Sequence, residues 1–294
     1  MSVLELDGLI GSHPLGALAS FGLLRVLTRQ GGEPRLYFEE RDDWVARIEC
    51  EHASVDDLIG ILAKWSRSSR DELLSWAKAD VRVPLEEYRA VLARALGEDH
   101  ELANFLSALA ADGAVDKSKG LIKPTAFYMA SGQQNFIETM QSILTFVREA
   151  PSKVWREALV GPWAYSAPIW GAGWDPGTER MHALRHKAPT KDKTSCVPGA
   201  VWLAFEALPL FPSFTRDGRD RTVGFVLRDR VRHWRWPVPI RPVTLDALAM
   251  LVSSREVASA TEARRREGIG AVYESTRSEF GQGYAVFRPA RRIV

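Results

Sequence analysis

Glu179, His182 and His186 are spaced three and four residues apart. On a helix they would share one face and offer a carboxylate and two imidazoles to a divalent metal. The stretch follows Trp174-Asp175-Pro176-Gly177, however, and Ala183-Leu184-Arg185 carries no helical apolar stripe. A polar loop or an anion-facing strand is therefore expected there, and no metal or cofactor is assigned. His13, directly before Pro14, reads as a structural histidine rather than a catalytic one. The chain has no Walker A loop, HExxH, CxxC pair, GxSxG elbow, GxGxxG or adjacent His-Asp pair, so no catalytic residue is assigned.

The stronger signal is a series of basic residues interleaved with aromatics. Trp163, Trp170 and Trp174 precede Arg180, Arg185, His186, Lys187, Lys191 and Lys193. Arg228, Arg230, Arg232, Trp234, Arg235 and Trp236 follow, then Arg264, Arg265 and Arg266, then Arg288, Arg291 and Arg292. Lys and Arg neutralise phosphates, and aromatic rings and guanidinium planes stack on unpaired bases. Taken singly, each tryptophan reads as core and each basic cluster as a solvated face. Taken as a set, they point to nucleic acid. Ser131-Gly132-Gln133-Gln134 forms a small-residue turn into a helix, where free backbone N–H groups could face a phosphate or base edge with Lys123 nearby in sequence. An ordinary helix start is the competing reading. The expected nucleic-acid contacts are Lys123, Gln133, Gln134, Arg180, Arg185, Lys187, Lys191, Lys193, Arg230, Arg232, Arg235, Arg264, Arg265 and Arg266.

Elements must position these residues. With 294 residues, 46% hydrophobic and 26% charged, the chain can bury a large core. Two distant cysteines exclude a disulfide framework and a four-cysteine zinc site, and favour a reducing compartment. The first residues lack a charged leader, and the apolar stretch 14–27 is short for a bilayer and broken by glycines, so a soluble, cytoplasmic protein without membrane contact is expected. The net charge of +2 hides a polarity: residues 1–150 hold 16 Lys/Arg and 23 Asp/Glu, residues 151–294 hold 23 and 14. The basic half could face a polyanion, or the two halves could attract one another or a neighbour.

Apolar patterning predicts an α+β fold in which an N-terminal strand–helix–hairpin unit carries a helical insertion. The strand is 3–10, the helix opens at Pro14 and stops at Gly31-Gly32, and the hairpin is 35–40 with 44–50. That order suggests half of a ferredoxin-like unit. Residues 54–111 read as helices, the first capped by Ser54, with later ones over 70–79, 85–96 and 100–111. A polar connector over 112–124, a short strand over 125–129 and a helix over 133–149 complete the acidic half. The basic, aromatic-rich half begins near 151 as a mixed α/β region with short antiparallel strands. It holds a long loop over 161–199, a helix over 198–207, strands over 221–228 and 231–236, helices over 244–252 and 255–267, and a final hairpin over 270–276 and 283–288.

Several phrases in this order resemble a CRISPR-associated family of the type I-U (I-G) systems, whose members occur free or as an extension of the Cas helicase-nuclease. They are Gly11-Ser12-His13-Pro14-Leu15-Gly16, Leu23-Leu24-Arg25, Ile122-Lys123-Pro124-Thr125, Ser131-Gly132-Gln133-Gln134, Gly161-Pro162-Trp163, Gly173-Trp174-Asp175-Pro176 and the run from Trp202 to Pro212. None is a catalytic motif. The resemblance implies a non-catalytic, Cascade large-subunit-like component of an RNA-guided antiviral effector, touching crRNA, target DNA or neighbouring Cas subunits. Two other readings stay open: a protein-binding scaffold that never touches nucleic acid, and a metal-dependent nuclease using Glu179, His182 and His186.

Overall fold

The computed structural model describes residues 1–68, 71–130, 134–178, 195–254, 268–280 and 284–294. The first strand, β1 (Ser2–Ile10), buries Leu4 and Leu6 and leaves Val3 and Glu5 outside, the period-two pattern of a one-sided strand. His13 caps α1 (Pro14–Arg29), with Pro14 in the first turn where its missing N–H costs nothing. Every residue of α1 from Pro14 to Leu27 is buried, as an all-round apolar sequence demands. The hairpin of β2 (Arg35–Glu40) and β3 (Trp44–Cys50) returns against β1, giving an antiparallel sheet in the order β1-β3-β2.

The helical block follows as α2 (Val55–Arg67), α3 (Glu72–Ser75), α4 (Leu85–Glu98) and α5 (His100–Leu109). Ser54 Oγ accepts the Asp57 N–H at 3.1 Å and so caps α2. The helix expected over 70–79 shortens to the four residues of α3, where only Leu73 and Leu74 are buried. The expected polar connector is instead a hairpin, β4 (Ala110–Asp116) and β5 (Leu121–Pro124), turned at Gly120, whose φ of 67° suits glycine. Residues 125–129 form no strand; Thr125 N–H goes to the Leu109 carbonyl and the chain turns inward. Two helices follow, α6 (Phe136–Glu149) and an unanticipated α7 (Pro151–Val160), which buries Val154, Trp155, Ala158 and Leu159.

After an irregular stretch comes α8 (Pro198–Ala207), also buried throughout. A hairpin of β6 (Ser213–Arg216) and β7 (Arg219–Thr222) follows, then β8 (Phe225–Arg228) and β9 (Val231–Pro239). The single strand expected over 221–228 divides at Gly224, where φ is 80°. Then come α9 (Leu245–Ser253), β10 (Ile269–Phe280), β11 (Tyr284–Phe287) and β12 (Arg291–Arg292). The second sheet runs β11-β10-β9-β8, with β12 beside β10. The helix expected over 255–267 lies outside the described residues.

The arrangement is α+β with small antiparallel sheets. Buried side chains from Leu4 to Phe287 join in one connected core, in which α1 lies against α8. Phe127 is one hub: Phe211, Phe225, Trp234 and Phe287 all pack on its ring, with centroids 4.9–6.1 Å away. No helix among the described residues is long and apolar enough to cross a membrane.

Candidate nucleic-acid interface

The interleaving of Arg and Trp in β9 is strand alternation. Trp234 and Trp236 point inward, fully buried and stacked at 4.2 Å, while His233 and Arg235 lie on the opposite face. Trp170 and Trp174 are core as well, so of the flagged tryptophans only Trp163 keeps substantial exposure. The aromatic half of the sequence signal is therefore mainly packing. The basic half is not.

Between β7, the β8–β9 turn and the far end of β10 lies a groove of about 650 Å³. Arg219, Arg221, Arg230, Arg232, Arg277 and Arg288 line it, against two acids, Asp220 and Glu279. Arg232 pairs with Asp220 and Arg277 with Glu279. Arg219, Arg221 and Arg230 have no ion-pair partner among the described residues. The scaffold holding these cations is local. Asp217 and Gly218 sit at φ 52° and 69° in the β6–β7 turn, and Asp229 and Arg230 at 51° and 66° in the β8–β9 turn, the paired left-handed values of a two-residue hairpin loop. Arg277 Nη2 donates to the Tyr128 carbonyl at 3.0 Å, and burial pulls its pKa below the usual guanidinium value. Arg288 Nε donates to Ser278 Oγ at 2.9 Å.

No protein-family model matches the chain, and no curated protein is significantly similar to it.

The expected contact residues divide three ways. Arg230 and Arg232 line the groove. Arg235 lies away from it, its Nε donating to Glu274 Oε2 at 2.7 Å. Lys123 is exposed on β5 and Gln134 stands before α6, neither lining the groove. Gln133, Arg180, Arg185, Lys187, Lys191, Lys193, Arg264, Arg265 and Arg266 lie outside the described residues, as do Glu179, His182 and His186. Among the described residues no group of His, Cys, Asp and Glu is placed to hold a metal. Sequence reading missed Arg219, Arg221 and Arg277. The first two had a signal, since the Asp217-Gly218 turn predicts a hairpin and puts both arginines on one face of its second strand.

Behind the sheet, Glu274 gathers a second cationic set. Its carboxylate is buried and accepts from Arg228 at 2.8 Å, Arg235 at 2.7 Å and Arg291 at 2.8 Å. Burial alone would raise its pKa, but the three guanidiniums outweigh that and hold it at about 2. Three cations around one anion keep this face positive as well.

Proposed function

We propose that the chain is a non-catalytic, nucleic-acid-binding subunit of a CRISPR ribonucleoprotein effector, gripping a phosphodiester backbone in the arginine groove. The observation that carries the binding reading is the lining itself: among the described residues, six arginines against two carboxylates around one concave surface. Guanidinium groups offer bidentate donors to phosphate oxygens and keep their charge at any physiological pH. Arg219, Arg221 and Arg230 supply charge that no described carboxylate neutralises. Backbone contacts of this kind position a strand and carry no sequence information, which suits an assembly where base pairing reads the sequence. Membership of the effector rests on the resemblance to the type I-U family.

Co-purification of the tagged chain from cells expressing its genomic neighbours, with sequencing of the bound nucleic acid, tests the reading. A complex containing crRNA, depleted by combined Arg219→Ala, Arg221→Ala and Arg230→Ala, is expected. Recovery of Cas proteins with undiminished nucleic acid in that variant would favour a protein-binding scaffold.

A further inference from the structure

A second concave site lies where the N-terminal strand–helix unit meets the segment after α7, and it has the opposite character. The register of β1 against β3 breaks between Leu6, opposite Ala46, and Ile10, opposite Val45. Asp7, Gly8 and Leu9 therefore bulge from the ladder, a device that re-aims side chains. A Cβ on Gly8 would stand 2.5 Å from the Ala158 carbonyl oxygen, so the bulge lies tightly on the end of α7. The result is a cleft of about 670 Å³, within the range of specific ligand sites.

One wall of this cleft is aromatic and fixed by a buried carboxylate. Asp175 receives His13 Nε2 at 3.3 Å, the Gly177 N–H at 2.7 Å and the Tyr165 hydroxyl. His13 Nδ1 accepts the Gly16 N–H at 3.3 Å, so both ring nitrogens are engaged and the ring is held in place as part of the wall. Trp163 meets His13 edge to face at 5.3 Å and Tyr165 at 6.4 Å. The facing rim carries Asp7 and Asp43, the latter holding the Ser12 hydroxyl and the Trp44 N–H at 2.6 Å each. No Lys or Arg among the described residues lines the cleft. A phosphate would meet two carboxylates and none of these cations there; a guanidinium would meet both carboxylates and an aromatic wall.

We propose that this cleft receives an arginine side chain, with its flanking residues, from a basic segment of a partner protein. The charge is complementary, and the volume exceeds one side chain by enough to take its neighbours. The site stands independently of the nucleic-acid reading, because among the described residues the two sites share none.

Titration calorimetry of the full chain with a capped Gly-Arg-Gly peptide, its Gly-Glu-Gly counterpart and agmatine tests the assignment. The arginine peptide is expected to bind, at least about tenfold more tightly than agmatine, and the glutamate peptide not at all. Asp7→Asn is expected to weaken peptide binding about tenfold and Asp7→Lys to abolish it. Asp7 is exposed, so both variants should keep the wild-type melting temperature, which is measured alongside. Agmatine binding as tightly as the peptide would overturn a peptide occupant. No binding by either cation, or binding unchanged in both Asp7 variants, would overturn the site.

Discussion

Arg25 in α1 and Glu206 in α8, 181 residues apart in sequence, form a buried ion pair with Nη1 3.2 Å from Oε2. Arg25 Nη2 also reaches Glu101 Oε2 at 2.7 Å, and Glu206 Oε1 accepts the Trp65 indole N–H at 3.0 Å. The Phe105 ring lies 5.0 Å from the guanidinium carbon. The network ties the N-terminal unit, the helical block and the C-terminal half at one point. Removing Arg25 takes from the buried Glu206 the cation it pairs with, whereas removing Glu206 leaves Arg25 its bond to Glu101. Arg25→Met is expected to cost about 3–5 kcal/mol in denaturant unfolding, and Glu206→Ala less, because Arg25 keeps Glu101. The two together should cost less than the sum of the singles.

The α1–α8 packing also depends on Gly22. A Cβ there would stand 1.7 Å from the Leu203 carbonyl oxygen, so the helices must separate to admit it. Gly22→Ala is expected to destabilise by about 3 kcal/mol, the upper end of overpacking costs. Gly60, in the exposed face of α2, has no described atom within 4 Å of its Cβ position. Gly60→Ala should therefore stabilise by about 0.5–1 kcal/mol through helix propensity. Melting curves of the two variants should shift in opposite directions.

These elements show what is legible in the chain. The β2–β3 hairpin emerges from its own residues, because alternation and the Arg41-Asp42-Asp43 turn are local signals. The α+β class follows in the same way. The hairpin over 110–124 escapes sequence reading because β4 buries only Ala110 and Ala114, too little to print an alternating pattern. Helix α7 has a readable stripe in Val154, Trp155, Ala158 and Leu159, opened by Pro151, but the irregular sequence that follows masks it. The arginine groove is half legible: Arg230 and Arg232 stand out among tryptophans. Arg277 draws its meaning from the Tyr128 carbonyl 149 residues away, which no local pattern could reveal.

Glu274 makes stability depend on acid. Its folded pKa of about 2 lies below the ordinary 4.5, so the stabilising contribution is fully present above pH 4.5 and is lost as pH falls toward 2. That contribution is about 3 kcal/mol at neutral pH. Glu274→Gln should lower neutral-pH stability and flatten the stability profile between pH 4.5 and 2. Unfolding free energies measured across that window, wild type against variant, check this.

If the arginine groove grips phosphates, binding must weaken steeply with salt. The direct test is the salt dependence of binding of a fluorescent oligonucleotide, single-stranded and duplex, over roughly 50 to 200 mM salt. Wild-type protein should give a straight, steep fall of log K with log salt. The combined Arg219→Ala, Arg221→Ala and Arg230→Ala variant should lower that slope by about 0.7–0.9 for each phosphate no longer neutralised. Paired Lys64→Ala and Arg67→Ala changes, on the helical block, should leave the slope unchanged. Binding that ignores salt, or a slope equally altered by both sets, would contradict the account.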